Sequence, residues 1–225
     1  MGMETVIEGK DEVFSVDSIQ AKISFSLEGE LILKEKQILA KKGEVICISG
    51  KNGSGKSTLS KILIGLIKPK EEDNFEILIN DEKELSSLDT FNFRRKHLSY
   101  VPQKITSTNF KISEVFYNFS GAGSLLEFLN NKNIPVDDDI RNLIINKWDT
   151  QIKDLSGGQK KIIRILEKAI EGKSIFILDE PTSNLDKSKF EWFENLILSM
   201  KKDKIIIIIN HEQEIEKIFD TIIFI

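Results

Sequence analysis

Residues 50–58 read GKNGSGKST. Gly50, Gly55, Lys56 and Ser57 fit the spacing G-x-x-x-x-G-K-[ST], whose chemistry is the holding of phosphate. Gly53 and Gly55 let successive N–H groups, with those of Asn52 and Ser54, converge on a β-phosphate without a Cβ in the way. Lys56 offers a point charge to the β/γ oxygens. The Ser57 hydroxyl is a ligand for Mg2+, and Thr58 lies next in line for the α-phosphate. The alternative is a glycine-rich turn without a ligand. An apolar strand pattern before the loop and a helical pattern after it argue against that.

A second stretch, IFILDEP (175–181), puts two carboxylates at the end of an apolar run. Asp179 there is suited to orient Mg2+ and its waters, and Glu180 to act as general base on water. Alone, the pair is equally a solvated strand end. A third stretch, DLSGGQKK (154–161), opens a helical pattern. Ser156 and Gln159 have the spacing of a capping box. Gly157 and Gly158 lie between them, although each glycine weakens a helix by about 1 kcal/mol relative to alanine. Either the stretch is only a cap, or an anion must approach the backbone at a helix N-terminus.

These residues need a scaffold. Three apolar, β-branched runs read as buried parallel strands: EVICISG (44–50), SIFILDE (174–180) and KIIIIINHE (204–212). Helical patterns alternate with them at 56–67, 159–170 and 189–202. Alternation of this kind predicts an α/β fold with a mostly parallel sheet and ligands at the carboxyl ends of its strands. The first 43 residues alternate apolar and polar positions and predict an antiparallel β meander at one edge. The stretch from about 104 to 160 predicts short helices, a helical subdomain inserted in the α/β core. FDTIIFI at 219–225 reads as another strand. The whole of 1–225 is expected to be a single domain.

Composition excludes several classes. The chain has 225 residues, 40% hydrophobic and 30% charged, with net charge −4. Mild acidity gives no electrostatic reason to expect nucleic acid. The single cysteine, Cys47, forbids an internal disulfide and reads as a small buried hydrophobe. The start of the chain is polar and acidic, without the pattern of a signal peptide. No apolar run approaches the ~18 residues of a membrane span.

The phosphate loop, DLSGGQ and ILDEPTSNLD, in that order, resemble the ATP-binding cassette (ABC) ATPases. The resemblance covers nearly the whole chain and implies a P-loop NTPase core that binds ATP with Mg2+. It implies that two cassettes pack head to tail, so that Ser156, Gly157, Gly158 and Gln159 of one close over the ATP held by the other. It assigns Gln103, in YVPQK, to sensing Mg2+ and the attacking water. SNLD (183–186) becomes the loop that contacts the partner cassette, and His211 the group at the γ-phosphate. Together with Lys56 and Glu180, Gln103 and His211 form the implied catalytic set. His97, in the basic and surface-like FRRKHLSY, receives no role.

Some of the family pattern is missing. Members usually offer adenine an aromatic ring some 25–30 residues before the P-loop lysine. AKISFSLEGEL occupies that region, with Phe25 the best candidate and Phe14 a weaker one. NKWDTQIKDLSGG stands where exporters often carry an acidic-glycine loop. The function implied is an ATP-hydrolysing subunit, cytoplasmic and peripheral at the membrane, that powers a separate transmembrane permease subunit. The alternative is an ABC-type ATPase acting on a non-transport complex. Phe110, Phe116, Tyr117 and Phe119 are expected to divide between the core and the permease docking surface.

Overall fold

The computed structural model describes residues 15–27, 30–51, 53–67, 74–81, 83–85, 88, 90–210 and 217–225. Period-two patterning opens it, and gives β1 (Ser18–Leu27) and β2 (Glu30–Lys41), an antiparallel pair. The apolar run VICIS forms β3 (Val45–Ser49), which delivers the chain to the phosphate loop and α1 (Lys56–Leu63). Two short strands follow, β4 (Asn74–Ile79) and β5 (Lys83–Glu84), then α2 (Thr90–His97) and β6 (Leu98–Val101). Helices α3 (Ile112–Val115), α4 (Ala122–Asn131), α5 (Asp138–Lys147) and α6 (Gly157–Ile170) come next. The chain then alternates through β7 (Ile175–Asp179), α7 (Phe190–Lys201), β8 (Ile205–Ile209) and β9 (Thr221–Phe224).

Among the described residues the strands form two sheets. The parallel one runs β6-β7-β8-β3-β9, with every pairing parallel. The antiparallel one runs β2-β1-β4-β5. The antiparallel unit expected from the first residues is therefore a sheet of its own. It recruits β4 and β5 from beyond the phosphate loop, because the outer edge of β1 is left to pair with β4 from Ile19–Ile79 to Ser24–Asn74.

Isoleucine-rich strands suit a sheet covered on both faces, since β-branched side chains pack well on a pleated surface. Their alternation divides them between two cores. Ile46, Ile48, Ile175, Ile177, Ile205, Ile207 and Ile209 join α1 and the antiparallel sheet on one side. Val45, Phe176, Leu178, Ile206 and Ile208 join α3 to α7 on the other. Each fully buried isoleucine contributes ~1.5–3 kcal/mol against chain ordering. A polar residue in β8 would break one core or the other.

The inserted helices share a continuous core with β7 and α7. Three polar contacts fix the start of α5 and the residues before it to the start of α7. Trp192 Nε1 donates to the Pro135 carbonyl at 2.8 Å, and Lys189 pairs with Asp137 and Asp139 at 2.9 and 2.5 Å. The stretch FRRKHLSY, expected at the surface, instead closes α2 and forms β6. Phe93, Leu98 and Ser99 are buried, while Arg95 of α2 stays exposed, as does the apolar Phe91 on the same helix. No helix among the described residues is long and apolar enough to cross a membrane.

Candidate active site

All five parallel strands end on the same side, and the polar motifs follow three of those ends. The loop after β3 has the backbone its glycines predict. Gly53 and Gly55 sit at φ +82° and +88°, a region costly to residues with a Cβ. Gly50 is required for a different reason: a Cβ there would run into the Ile225 carbonyl oxygen at the end of β9. Asn52 lies outside the described residues. The Ser54 hydroxyl is buried without a hydrogen-bond partner, a polar atom suited to an added acceptor or donor in the loop.

Lys56 is buried, with its Nζ donating to the carbonyls of Gly50 and Lys51 at 2.7 and 2.8 Å. It folds back on its own loop. An ammonium carries three donors, and these two carbonyls satisfy two of them. Ser57 and Thr58 open α1, both half-buried.

β7 supplies the acidic pair. Asp179 is buried at its end. Ser57 Oγ donates to Asp179 Oδ1 and Tyr100 Oη donates to Asp179 Oδ2, each at 3.4 Å. Burial pushes the Asp179 carboxyl above its usual range and the Glu180 charge adds to this, while Ser57 and Tyr100 oppose it. Ser57 and Asp179, 122 positions apart, are thus an oxygen-rich pair of the kind hard cations take. Mg2+ fits them by that chemistry.

Glu180 follows at φ +45°. Its N–H donates to Ile209 O at 2.8 Å, and its carbonyl accepts from Ser183 Oγ at 2.7 Å. This leaves the side chain at the strand-end surface, where Gln103 Nε2 donates to Glu180 Oε2 at 2.6 Å. Gln103 comes from the end of β6, beside β7. In this structure its amide is paired with Glu180 rather than with the Ser57–Asp179 pair. His211 lies outside the described residues, just beyond β8. Phe25 sits in β1 opposite Leu33. Its side chain lies outside the described ones, as does all of Phe14.

The capping box is present. Gln159 N–H donates to Ser156 Oγ at 3.3 Å, and Ser156 N–H donates to Gln159 Oε1 at 3.1 Å. α6 begins at Gly157, so both glycines are helical. A Cβ at Gly157 would make ordinary contact with Asn184, at 3.5 Å. A Cβ at Gly158 would lie 2.7 Å from the Asn184 carbonyl oxygen. One glycine is therefore needed by a neighbour in the same chain. Asn184 itself sits at φ +66°. The four signature residues line a cavity of 760 Å³ with Asn184, Asp186 and Lys189, and among the described residues none of the phosphate loop borders it.

The sequence reading missed Lys161. It is buried in α6, with its Nζ 2.8 Å from Gln103 O and 3.2 Å from Glu180 O. Burial lowers its pKa to about 8, against the charges of Asp179 and Glu180. The signal was a lysine at the head of the stripe Lys161–Ile165–Ala169, all buried at four-residue spacing. Tyr100, beside Asp179, gave no such signal.

A phosphate loop on β3, an acidic end on β7 and a capped glycine-opened helix together define an ATPase of the P-loop class. Residues 33–183 match the family described as ABC transporter, and the chain belongs to that family. It is an ATP-binding protein and an ATPase. A probable ABC transporter ATP-binding/permease protein of Haemophilus influenzae is 32% identical over 98% of this chain, which spans 39% of that protein. The high-affinity zinc uptake system ATP-binding protein of Bacillus subtilis is 27% identical over 89% of this chain and 87% of its own length. A bacterial Atm1-family ABC exporter solved with ATP bound has a TM-score of 0.78 at 22% identity, covering 95% of this chain and 38% of the exporter chain. A dimeric bacterial ABC transporter cassette has a TM-score of 0.70 at 23% identity, covering 92% and 94%.

Proposed function

We propose that this chain hydrolyses Mg-ATP between two cassettes packed head to tail, and so drives a separate membrane-spanning permease. The observation that carries the reading is the separation of the two halves of the site. The phosphate loop meets Asp179 through Ser57, whereas the signature borders a different cavity. A second chain completes each half. The capped start of α6 then offers its N–H groups to the partner's γ-phosphate.

Lys56, Gly53, Ser54, Gly55 and Thr58 hold the triphosphate in this reading, with Asn52 in the same loop. Ser57 and Asp179 would hold Mg2+, which would supply positive charge against the triphosphate. Glu180 takes a proton from the water that attacks the γ-phosphorus, as the bond to the β–γ bridging oxygen breaks. Gln103 holds the Glu180 carboxylate and, with His211, faces the γ-phosphate. The single domain over 1–225, with its helical part at about 104–160, is the unit that moves.

The docking surface for the permease falls on that helical part. Phe116 is core, and Phe119 is half-buried. Phe110 and Tyr117 stay 62% and 77% exposed beside a 330 Å³ groove that Val115, Ile152 and Ile163 also line. An exposed aromatic patch of this kind suits a protein partner. Attachment through the permease makes the chain a peripheral protein at the inner face of the membrane.

Glu180→Gln tests the assignment. It should keep ATP affinity, lower turnover by ~10²–10⁴-fold, and hold the chain as an ATP-dependent dimer in gel filtration. Hydrolysis at the wild-type rate, or no dimer with ATP, counts against it.

A further inference from the structure

Lys161 is 1% exposed, in a stripe that elsewhere carries isoleucine, leucine and alanine. Burying an ammonium is costly unless its donors are satisfied. Here Nζ donates to Gln103 O at 2.8 Å, Glu180 O at 3.2 Å and Pro102 O at 3.4 Å. An apolar residue would fill the same space without that desolvation cost. The three acceptors are also particular. Two belong to Gln103 and Glu180, whose side chains meet at 2.6 Å. Glu180 also holds a left-handed backbone at φ +45°, a conformation that is strained for a non-glycine residue and must be held by its surroundings. Ser183 grips the Glu180 carbonyl from one side, with Oγ at 2.7 Å. Lys161 adds a charged donor to the same oxygen. Lys161 also lies five residues after Ser156, about 7.5 Å along the helix axis.

We propose that Lys161 is a positioning residue for ATP hydrolysis. Its ammonium clamps the backbones of Gln103 and Glu180 to each other and to the helix that begins at the signature. It sets the direction of the Glu180 carboxylate and carries any shift of the signature end of α6 to that carboxylate. This rests on the assignment of Glu180 and Gln103 made above, and goes beyond it by adding a group that touches neither ATP nor water.

The test compares Lys161→Met, Lys161→Gln and Glu180→Gln in the full chain. Lys161→Met keeps length and apolar stem but loses every donor. Lys161→Gln keeps two amide donors. Turnover of Lys161→Met should fall about 10–100-fold, as for other groups that orient a reacting side chain. Its ATP dissociation constant, measured with a fluorescent ATP analogue, should stay within about twofold of wild type, since no phosphate-loop bond is lost. Lys161→Gln should recover at least about fivefold over Lys161→Met. Adding Lys161→Met to Glu180→Gln should slow turnover no further, because the side chain it orients is gone. If Glu180→Gln is fully active, the underlying assignment fails. If Glu180→Gln is slow while both Lys161 variants turn over within twofold of wild type, the clamp fails and the assignment stands. Loss of ATP affinity in step with turnover in both Lys161 variants, or failure of both to fold, would make Lys161 a structural residue and overturn the proposal.

Discussion

Gly157→Ala and Gly158→Ala should have opposite effects on the stability of the nucleotide-free chain. Both residues are helical in the first turn of α6, so alanine at either gains up to ~1 kcal/mol of helix propensity. Their surroundings differ. The new Cβ at 157 meets Asn184 Cβ at 3.5 Å, an ordinary contact. At 158 it meets the Asn184 carbonyl oxygen at 2.7 Å, about 0.7 Å short of the 3.4 Å where ordinary contact begins. Asn184 cannot move aside cheaply. It sits at φ +66° in a turn closed by Leu185 N–H on Thr182 O at 3.0 Å and Ser183 N–H on Glu180 O at 3.2 Å. Overpacking of this kind costs about 1–3 kcal/mol. Because the helix gain is common to both variants, the difference between them isolates the clash at about 1–3 kcal/mol. For a chain of this size that is roughly 2–12 °C in melting temperature, with Gly157→Ala the more stable. Circular-dichroism melts without ATP, at a concentration where the chain is monomeric, read it directly. If phosphate approach from a partner were the sole reason for both glycines, the two variants would melt together. Equal melting temperatures would refute the intramolecular account of Gly158.

Two further outcomes follow from the same geometry. Ser156→Arg removes a cap worth about 0.5–2 kcal/mol and blocks the signature, and Lys56→Ala disables the phosphate loop. Each alone should be inactive, and mixing the two folded chains should restore part of the ATPase activity through one intact composite site; no recovery counts against head-to-tail pairing. The Lys161 ammonium titrates at about 8 in the fold and near 10.5 when exposed. Between those values the unfolded chain binds the extra proton, so the Lys161 contribution to stability must rise with pH, by at most ~1.4 kcal/mol per unit. Urea midpoints of wild type and Lys161→Met at pH 7.5 and about 9.5 check the sign, and a wild type that loses ground to the variant as pH rises would contradict it.

What the sequence determined by itself was local. Glycines at 53 and 55, the Ser156–Gln159 box and the isoleucine run of β8 act through neighbours within a few residues, and such patterns survive without knowledge of the fold, whereas Gly50 answers to Ile225 at the far end of the chain. The parallel sheet was legible for the same reason, because strands covered on both faces leave an unbroken apolar run. Other features depend on residues far apart in the chain. The second edge of β1 was open to several partners until β4 paired with it. FRRKHLSY looks basic and wet because its buried members, Phe93, Leu98 and Ser99, stand beside charged residues, and only packing against α1 and β7 shows which face is inside. Lys56 curls onto its own loop, which no spacing encodes. Gly158 needs to be glycine because Asn184 is there. Lys161 can sit buried because three carbonyls from two strand ends converge on it. Long-range contacts decide such cases, because the cost of a buried charge or a missing Cβ depends on atoms that sequence order does not place nearby.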